Sequence, residues 1–165
     1  IPNMLNRGNG ELGCGGGHMF TELCRFARRA VGVEVSANSI AIAKNHFRKQ
    51  TFGAEGLSAF AKRGRKFDFV FSSELLEHLR SPDEFMTTVH AITRPGSVVY
   101  LSAPDAGHHT TPANLAAWSD VCPPEHLQWF NETNLNMLFA QYGFEPITRH
   151  RKSTPAHSAF FRRVR

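Results

Sequence analysis

Apolar residues recur along this chain in two rhythms, and the two rhythms alternate. Between positions 17 and 30, Phe20, Leu23, Cys24, Ala27 and Ala30 fall on one helical stripe. Residues 31–35 form a short Val-rich run of the kind that makes a strand buried on both faces. Ser36 is placed to cap a second helix, whose inner face carries Ile40, Ala43 and Phe47. A further buried strand is predicted at 67–71. Ser81-Pro82-Asp83-Glu84 has the form of a capping box with proline at the first helical position. The helix it opens carries Phe85, Met86, Val89 and Ile92, and Arg94-Pro95-Gly96 stops it. Residues 97–103 read as another strand, ended by Pro104. No period is visible across 105–124, and a loop of that length in a small domain is more often functional than idle. Asn131 then opens a helix bearing Leu135, Leu138, Phe139 and Tyr142, closed by Gly143. Two strands, at 145–150 and 157–164, end the chain.

Strands alternating with helices predict an α/β fold, doubly wound around a mostly parallel sheet with helices on both faces. The last two strands, joined by a short polar connection, add a C-terminal antiparallel hairpin. Nothing divides the chain, so residues 1–165 are expected to be one domain. The start is the exception to the pattern. A parallel sheet needs a near-continuous apolar run before the first loop, and Asn6-Arg7-Gly8-Asn9-Gly10 lacks one. The expectation is that this strand is incomplete, with residues missing before Glu11.

The chemistry concentrates just after that point. Glu11-Leu12-Gly13-Cys14-Gly15-Gly16-Gly17 precedes a predicted helix, where an open parallel sheet binds its ligand. Glycine there permits positive φ and lets backbone approach a ligand closely. The dinucleotide fingerprint Gly-x-Gly-x-x-Gly would need glycine at 18, which is His18. A phosphate-binding P-loop is excluded, because no Gly-Lys-Ser/Thr follows. Glu34 ends the next strand, where a carboxylate can accept hydrogen bonds from both hydroxyls of a ribose.

With the pattern acid-x-Gly-x-Gly-x-Gly and the strand-terminal Glu34, the chain resembles the class I S-adenosylmethionine-dependent methyltransferases. Four more stretches, in the expected order, resemble the small-molecule branch that includes ubiquinone-biosynthesis O-methyltransferases. They are Val31-Gly32-Val33-Glu34-Val35-Ser36, the run from Phe67 to Leu79, Arg94-Pro95-Gly96 with its strand to Pro104, and Glu125-His126-Leu127 leading to Tyr142-Gly143-Phe144. The resemblance implies a Rossmann-like fold and methyl transfer from S-adenosylmethionine to a small-molecule acceptor, at oxygen. It implies that Glu11, Gly13, Gly15 and Gly17 hold the cofactor's methionine part and Glu34 its ribose. Ser72, Ser73 and Glu74 would line the methionine side. The adenine-facing acid that usually follows the glycine after the third strand is replaced by Ala54, which leaves Glu55 to take that place one residue late.

Methyl transfer needs a base only where the acceptor must lose a proton. Candidates are Glu77, His78, His108, His109 and His126. A short helix over 73–79 would put Glu74 and His78 on one face at i and i+4, which favours His78. Asp105, His108, His109 and Cys122 match no tight ligand spacing, so no metal is expected. Trp118, among small and polar residues, is the better candidate for a lid over the acceptor, ahead of Trp129 and Phe130.

Composition adds limits. Hydrophobic residues make up 41% and charged residues 20%, an ordinary globular mixture. No apolar run approaches the ~18 residues of a membrane span. Cys14, Cys24 and Cys122 form no CxxC pair, which points to the reducing cytoplasm. The net charge is +5, concentrated in Arg149, Arg151, Lys152, Arg162, Arg163 and Arg165. No aromatic-interleaved basic motif accompanies those charges, and Ser73-Glu74-Leu75-Leu76 stands where amino-methylating DNA enzymes carry Asn/Asp-Pro-Pro-aromatic. A nucleic-acid partner is therefore disfavoured. Two rival classes share the glycine loop: a nicotinamide-dependent oxidoreductase, disfavoured by His18, and a methyltransferase-like subunit without turnover.

Overall fold

The computed structural model describes residues 8–25, 27–48, 51–149 and 153–165. Seven strands form one sheet: β1 (Gly8–Leu12), β2 (Arg29–Glu34), β3 (Phe52–Ala54), β4 (Phe69–Ser73), β5 (Val98–Pro104), β6 (Phe144–Arg149) and β7 (Ala156–Arg163). Their order across the sheet is β3-β2-β1-β4-β5-β7-β6. The first five run parallel, and β7 pairs antiparallel with both β5 and β6. This is the doubly wound sheet with a closing hairpin that the alternation predicts. Its order reverses between β1 and β4, so the ligand crevice is set beyond the carboxyl ends of those two strands.

Among the described residues, five α-helices cover the sheet: α1 (His18–Cys24), α2 (Ala37–His46), α3 (Leu57–Ala61), α4 (Pro82–Ile92) and α5 (Glu132–Gln141). Leu57 and Phe60 of α3, Phe85, Val89 and Ile92 of α4, and Leu135 and Phe139 of α5 pack with Leu12, Val70, Val99 and Phe161 in one cluster. Phe20 of α1 and Ile40 and Ala43 of α2 join Phe52 and Cys14 in another. Each such Leu, Ile, Val or Phe side chain, fully removed from water, contributes about 1.5–3 kcal/mol. Ser36 caps α2 as expected, its side chain accepting the Ser39 N–H. Asn131 and Asn134 form a reciprocal capping box on α5.

Three expectations need correction here. The strand over 8–12 exists and lies at the centre of the sheet, running unbroken through Gly10 and Glu11 opposite Val31 and Gly32. The apolar cover it lacks in its own sequence comes from elsewhere, because Phe67 lays its ring over Gly10, 3.3 Å from where a Cβ would stand. Asn6 and Arg7 lie outside the described residues. The helix after the glycine loop stops at Cys24, because Arg29 and Ala30 already belong to β2. Ser81 makes no side-chain cap on α4. The Glu84 carboxylate of that expected box instead accepts the Ser58 hydroxyl of α3 at 2.8 Å.

Candidate active site

The glycine loop leaves β1 through a series of turns that only glycine takes without strain. Gly13, Gly15 and Gly17 all have positive φ, at 73°, 49° and 82°. The Gly13 and Cys14 N–H groups donate to the Val33 carbonyl, at 2.8 and 3.0 Å, which fastens the loop to β2. Gly17 sits against Phe52, where an added Cβ would come within 2.9 Å of the ring, whereas a Cβ on Gly15 would meet nothing within 4 Å. The loop is thus packed from below and open above.

Glu34, at the end of β2, faces this opening. One carboxylate oxygen accepts the Gly15 N–H at 3.2 Å and the other the Ser36 N–H at 2.9 Å. A cleft of about 230 Å³ lies beside it, lined by Gly13, Glu34, Glu55 and the apolar Leu57, Leu75 and Leu79. Glu11 lies under the loop, 3% exposed. Burial pushes its carboxyl up to about 8, and its Oε2 has no hydrogen-bond partner.

The remaining expected contacts are less uniform. Ser72 is fully buried, with its hydroxyl on the Leu12 carbonyl at 3.3 Å, so it ties β4 to β1 inside the sheet. Ser73 ends β4 half-buried, paired with Ser102 of β5. Glu74 turns away from the strand with φ 51°, and its carboxylate accepts the Ser102 hydroxyl at 2.7 Å. Glu55 lines the cleft while its carboxylate pairs with Arg63 at 2.9 Å.

The helix expected over 73–79 does not form. The left-handed Glu74 breaks it, and only a single 3₁₀ turn, Leu76–His78, follows. The i, i+4 argument for His78 therefore falls away, yet other contacts fix the side chain. His78 Nδ1 donates to the Glu125 carbonyl at 2.9 Å, and His126 Nδ1 donates to the Asp120 carbonyl at 2.8 Å. The two rings lie 4.7 Å apart, so position does not rank one above the other. Two more hydrogen bonds attach the long loop to this turn: Leu127 N–H to the Glu77 carbonyl, at 2.8 Å, and Gln128 Nε2 to the Leu79 carbonyl, at 2.6 Å. Glu77 is fully buried, with a carboxylate oxygen within 4.8 Å of a ring nitrogen of each imidazole. Burial, first, and then Glu74 and Asp120 push its carboxyl up to about 8.

Trp118 is buried and so forms no lid. Trp129 donates Nε1–H to the Asp120 carbonyl at 2.8 Å. Asp105 and His108 do not converge with Cys122, whose thiol contacts the Asp120 carbonyl. Asp105 instead reaches the buried His157, 3.4 Å away. His157 donates Nε2–H to the Phe130 carbonyl and accepts from Arg149 at Nδ1. Arg163 is likewise occupied, donating to the His90 and Thr93 carbonyls at the end of α4. Two charges of the basic tail are therefore structural, and Arg151 and Lys152 lie outside the described residues.

The family profile described as a methyltransferase domain matches residues 11–149. The chain belongs to that family. Among curated relatives, this methyltransferase domain is similar to the ubiquinone biosynthesis O-methyltransferase of Brucella ovis. The two are 31% identical over 96 residues, which is 56% of the chain and 39% of the relative. The chain thus spans well under half the length of that protein. Among solved structures, it resembles an S-adenosylmethionine-dependent methyltransferase from Clostridium acetobutylicum, with a TM-score of 0.80 and 12% identity, over 99% of this chain and 87% of that one. It also resembles DhpI in a complex named for SAM and HEP, with a TM-score of 0.75 and 20% identity, over 96% and 79% of the two chains. At such identities these likenesses establish the fold of the methyltransferase domain.

Proposed function

We propose that this domain binds S-adenosylmethionine across the glycine loop and transfers its methyl to an oxygen of a small-molecule acceptor held under the 105–130 loop. The observation that carries this reading is Glu34, a carboxylate anchored by two backbone N–H groups at the rim of a cleft whose other walls are Gly13 and three leucines. Each anchored oxygen keeps a lone pair for a ribose hydroxyl, and the leucines offer an apolar slot for a purine. The open space above Gly15 and the unpartnered Glu11 oxygen beneath the loop fit the polar methionine end.

When bound, the sulfonium supplies an already activated methyl. The protein's part is to align the acceptor and exclude water. His78 is the candidate base, since its Nδ1 is held by a carbonyl and its Nε2 is left to accept an acceptor proton. His126 shares that geometry. No helix among the described residues is long and apolar enough to cross a membrane. All three cysteines are free, which suits a reducing compartment, and the cytoplasm is the setting proposed.

Calorimetric titration with S-adenosylmethionine and, separately, with NAD tests the reading. Saturable binding of the sulfonium alone supports it. Binding of NAD alone would return the oxidoreductase reading. Labelled-methyl transfer to a panel of phenols then separates an enzyme from a subunit that only binds.

A further inference from the structure

The two ends of the long loop close on one buried imidazole. Asp105, where the loop leaves β5, and Phe130, just before α5, meet in an isolated parallel bridge. The Phe130 carbonyl accepts two hydrogens, the Ala106 N–H and the Nε2–H of His157, each at 2.9 Å. Asp105 donates its own N–H to the Pro155 carbonyl, also at 2.9 Å, beside the start of β7. His157 is 1% exposed and stands in β7 opposite Ala103 of β5, so it fastens the base of the loop to the sheet. From Phe130 the chain leads back to His126 through Leu127 and Gln128, which bond to the Glu77 and Leu79 carbonyls.

Nδ1 of the same ring faces two groups of opposite charge. It lies 2.6 Å from Arg149 Nη1 and 3.4 Å from Asp105 Oδ2. The shorter contact requires a neutral imidazole, because a guanidinium only donates and Nδ1 must then accept. Arg149 arrives from β6 and also reaches Glu132 of α5, at 3.5 Å. Among the described residues, Asp105, Arg149 and Glu132 are the charged groups that act on the ring. Burial, first, holds His157 below its ordinary pKa, and Arg149 pushes the same way. The Phe130 carbonyl, Asp105 and Glu132 oppose them. A proton on Nδ1 would set a cation against the guanidinium and make Asp105 the group that the new N–H can reach.

We propose that His157 is a positioning residue for the acceptor side of the site: neutral, it clasps both ends of the 105–130 loop, and protonated, it exchanges Arg149 for Asp105 and lets the loop open. The clasp belongs to the loop itself, and only its consequence for turnover rests on the proposed function. The glycine loop and Glu34 share none of these contacts, so opening releases the acceptor side and leaves the cofactor side in place. An open loop returns His157 to water, where its pKa is near 6.5, while the closed loop binds the proton less well. Closure is therefore strongest above about pH 6.5 and weakens as pH falls, by at most about tenfold per pH unit for one proton.

Hydrogen exchange of the free protein between pH 7.5 and 5.5, corrected for intrinsic amide rates, reads the clasp. Peptides covering 105–111 and 126–131 should lose about tenfold in protection over that range, while those covering 8–17 should lose none. His157→Gln keeps an amide N–H near the position of Nε2 and cannot titrate, so its profile should be flat. Arg149→Met removes the opposing charge and leaves Asp105 to pair with the protonated ring, so its acid loss should shrink to less than threefold. With a phenol that is turned over, the acceptor KM should rise in acid for the natural protein and stay level for His157→Gln. A flat exchange profile in the natural protein overturns the proposal. So does a tenfold loss that persists in His157→Gln or, where that variant does not fold, in Arg149→Met. Exchange involves neither sulfonium nor acceptor, so failure of the clasp and failure of the proposed function are distinguishable.

Discussion

The Glu34 carboxylate reaches back 19 residues to accept the Gly15 N–H at 3.2 Å, so the ribose candidate and the glycine loop are parts of one hydrogen-bonded unit. Removing the side chain should therefore act twice, by deleting the acceptor for ribose and by releasing the loop. Glu34→Ala is expected to weaken S-adenosylmethionine binding at least tenfold, about 1.4 kcal/mol. Glu34→Gln should fall between that variant and the natural protein, since an amide retains one acceptor oxygen but sets a donor against a backbone N–H. Calorimetric dissociation constants check this, and an unchanged value for Glu34→Ala would remove Glu34 from the cofactor site.

Much of this site is legible locally. The alternation of apolar runs, the Ser36 cap and the glycine loop before Glu34 are all short-range patterns, and each takes the predicted place. The unread parts depend on distant residues. Gly10 lies in a buried strand because the ring of Phe67 covers it, and no window around Gly10 contains that ring. His78 and His126 meet because the intervening chain returns the loop to the turn after β4. Glu77 follows two leucines in a segment with an even scatter of polar residues, and nothing local marks its carboxylate as buried. Trp118 misleads for the same reason, since its small and polar neighbours suggest exposure while the tertiary packing buries it.

The glycines of the loop should differ in what they tolerate. Gly15→Ala imposes left-handed strain without a clash, since nothing lies within 4 Å of the new Cβ, and should cost about 1–2 kcal/mol. Gly17→Ala adds contacts of 2.9 Å to Phe52 and 3.1 Å to Phe47, and overpacking of this kind costs a further ~1–3 kcal/mol. For a chain of this size each kcal/mol lowers Tm by about 2–4 °C. Scanning calorimetry should rank Gly17→Ala well below Gly15→Ala. Equal losses would mean that the Phe52 ring moves aside freely.

Glu11 makes stability depend on pH in a defined sense. Its folded pKa, about 8, lies above the ordinary carboxyl value of 4.5 because burial disfavours the charged form. Between those two values the native state binds more protons than the unfolded chain, so stability falls as pH rises. The contribution is full below the unfolded pKa and is lost as pH approaches 8. Its slope approaches about 1.4 kcal/mol per pH unit for one proton. Glu11→Gln removes the titration and should flatten the profile, becoming more stable than the natural protein at pH 8. Urea midpoints at several pH values between 5 and 8.5, in metal-free buffer, decide the matter, and parallel profiles for the two proteins would refute it.

The two nitrogens of His78 have separate jobs, and a single substitution can divide them. Nδ1 donates to the Glu125 carbonyl at 2.9 Å and helps to dock the long loop, while Nε2 is the nitrogen left to act as the proposed base. Asparagine places its amide NH₂ near the position of Nδ1 and has nothing at Nε2. His78→Asn should therefore leave the loop docked, with protease resistance across 105–130 unchanged and the dissociation constant for S-adenosylmethionine within twofold. Turnover at saturating cofactor should fall by roughly 10²-fold or more, the usual effect of losing a positioned acid or base. His78→Ala removes both jobs, and should lose protease resistance along with turnover. Full turnover in His78→Asn would leave the residue with its docking role alone.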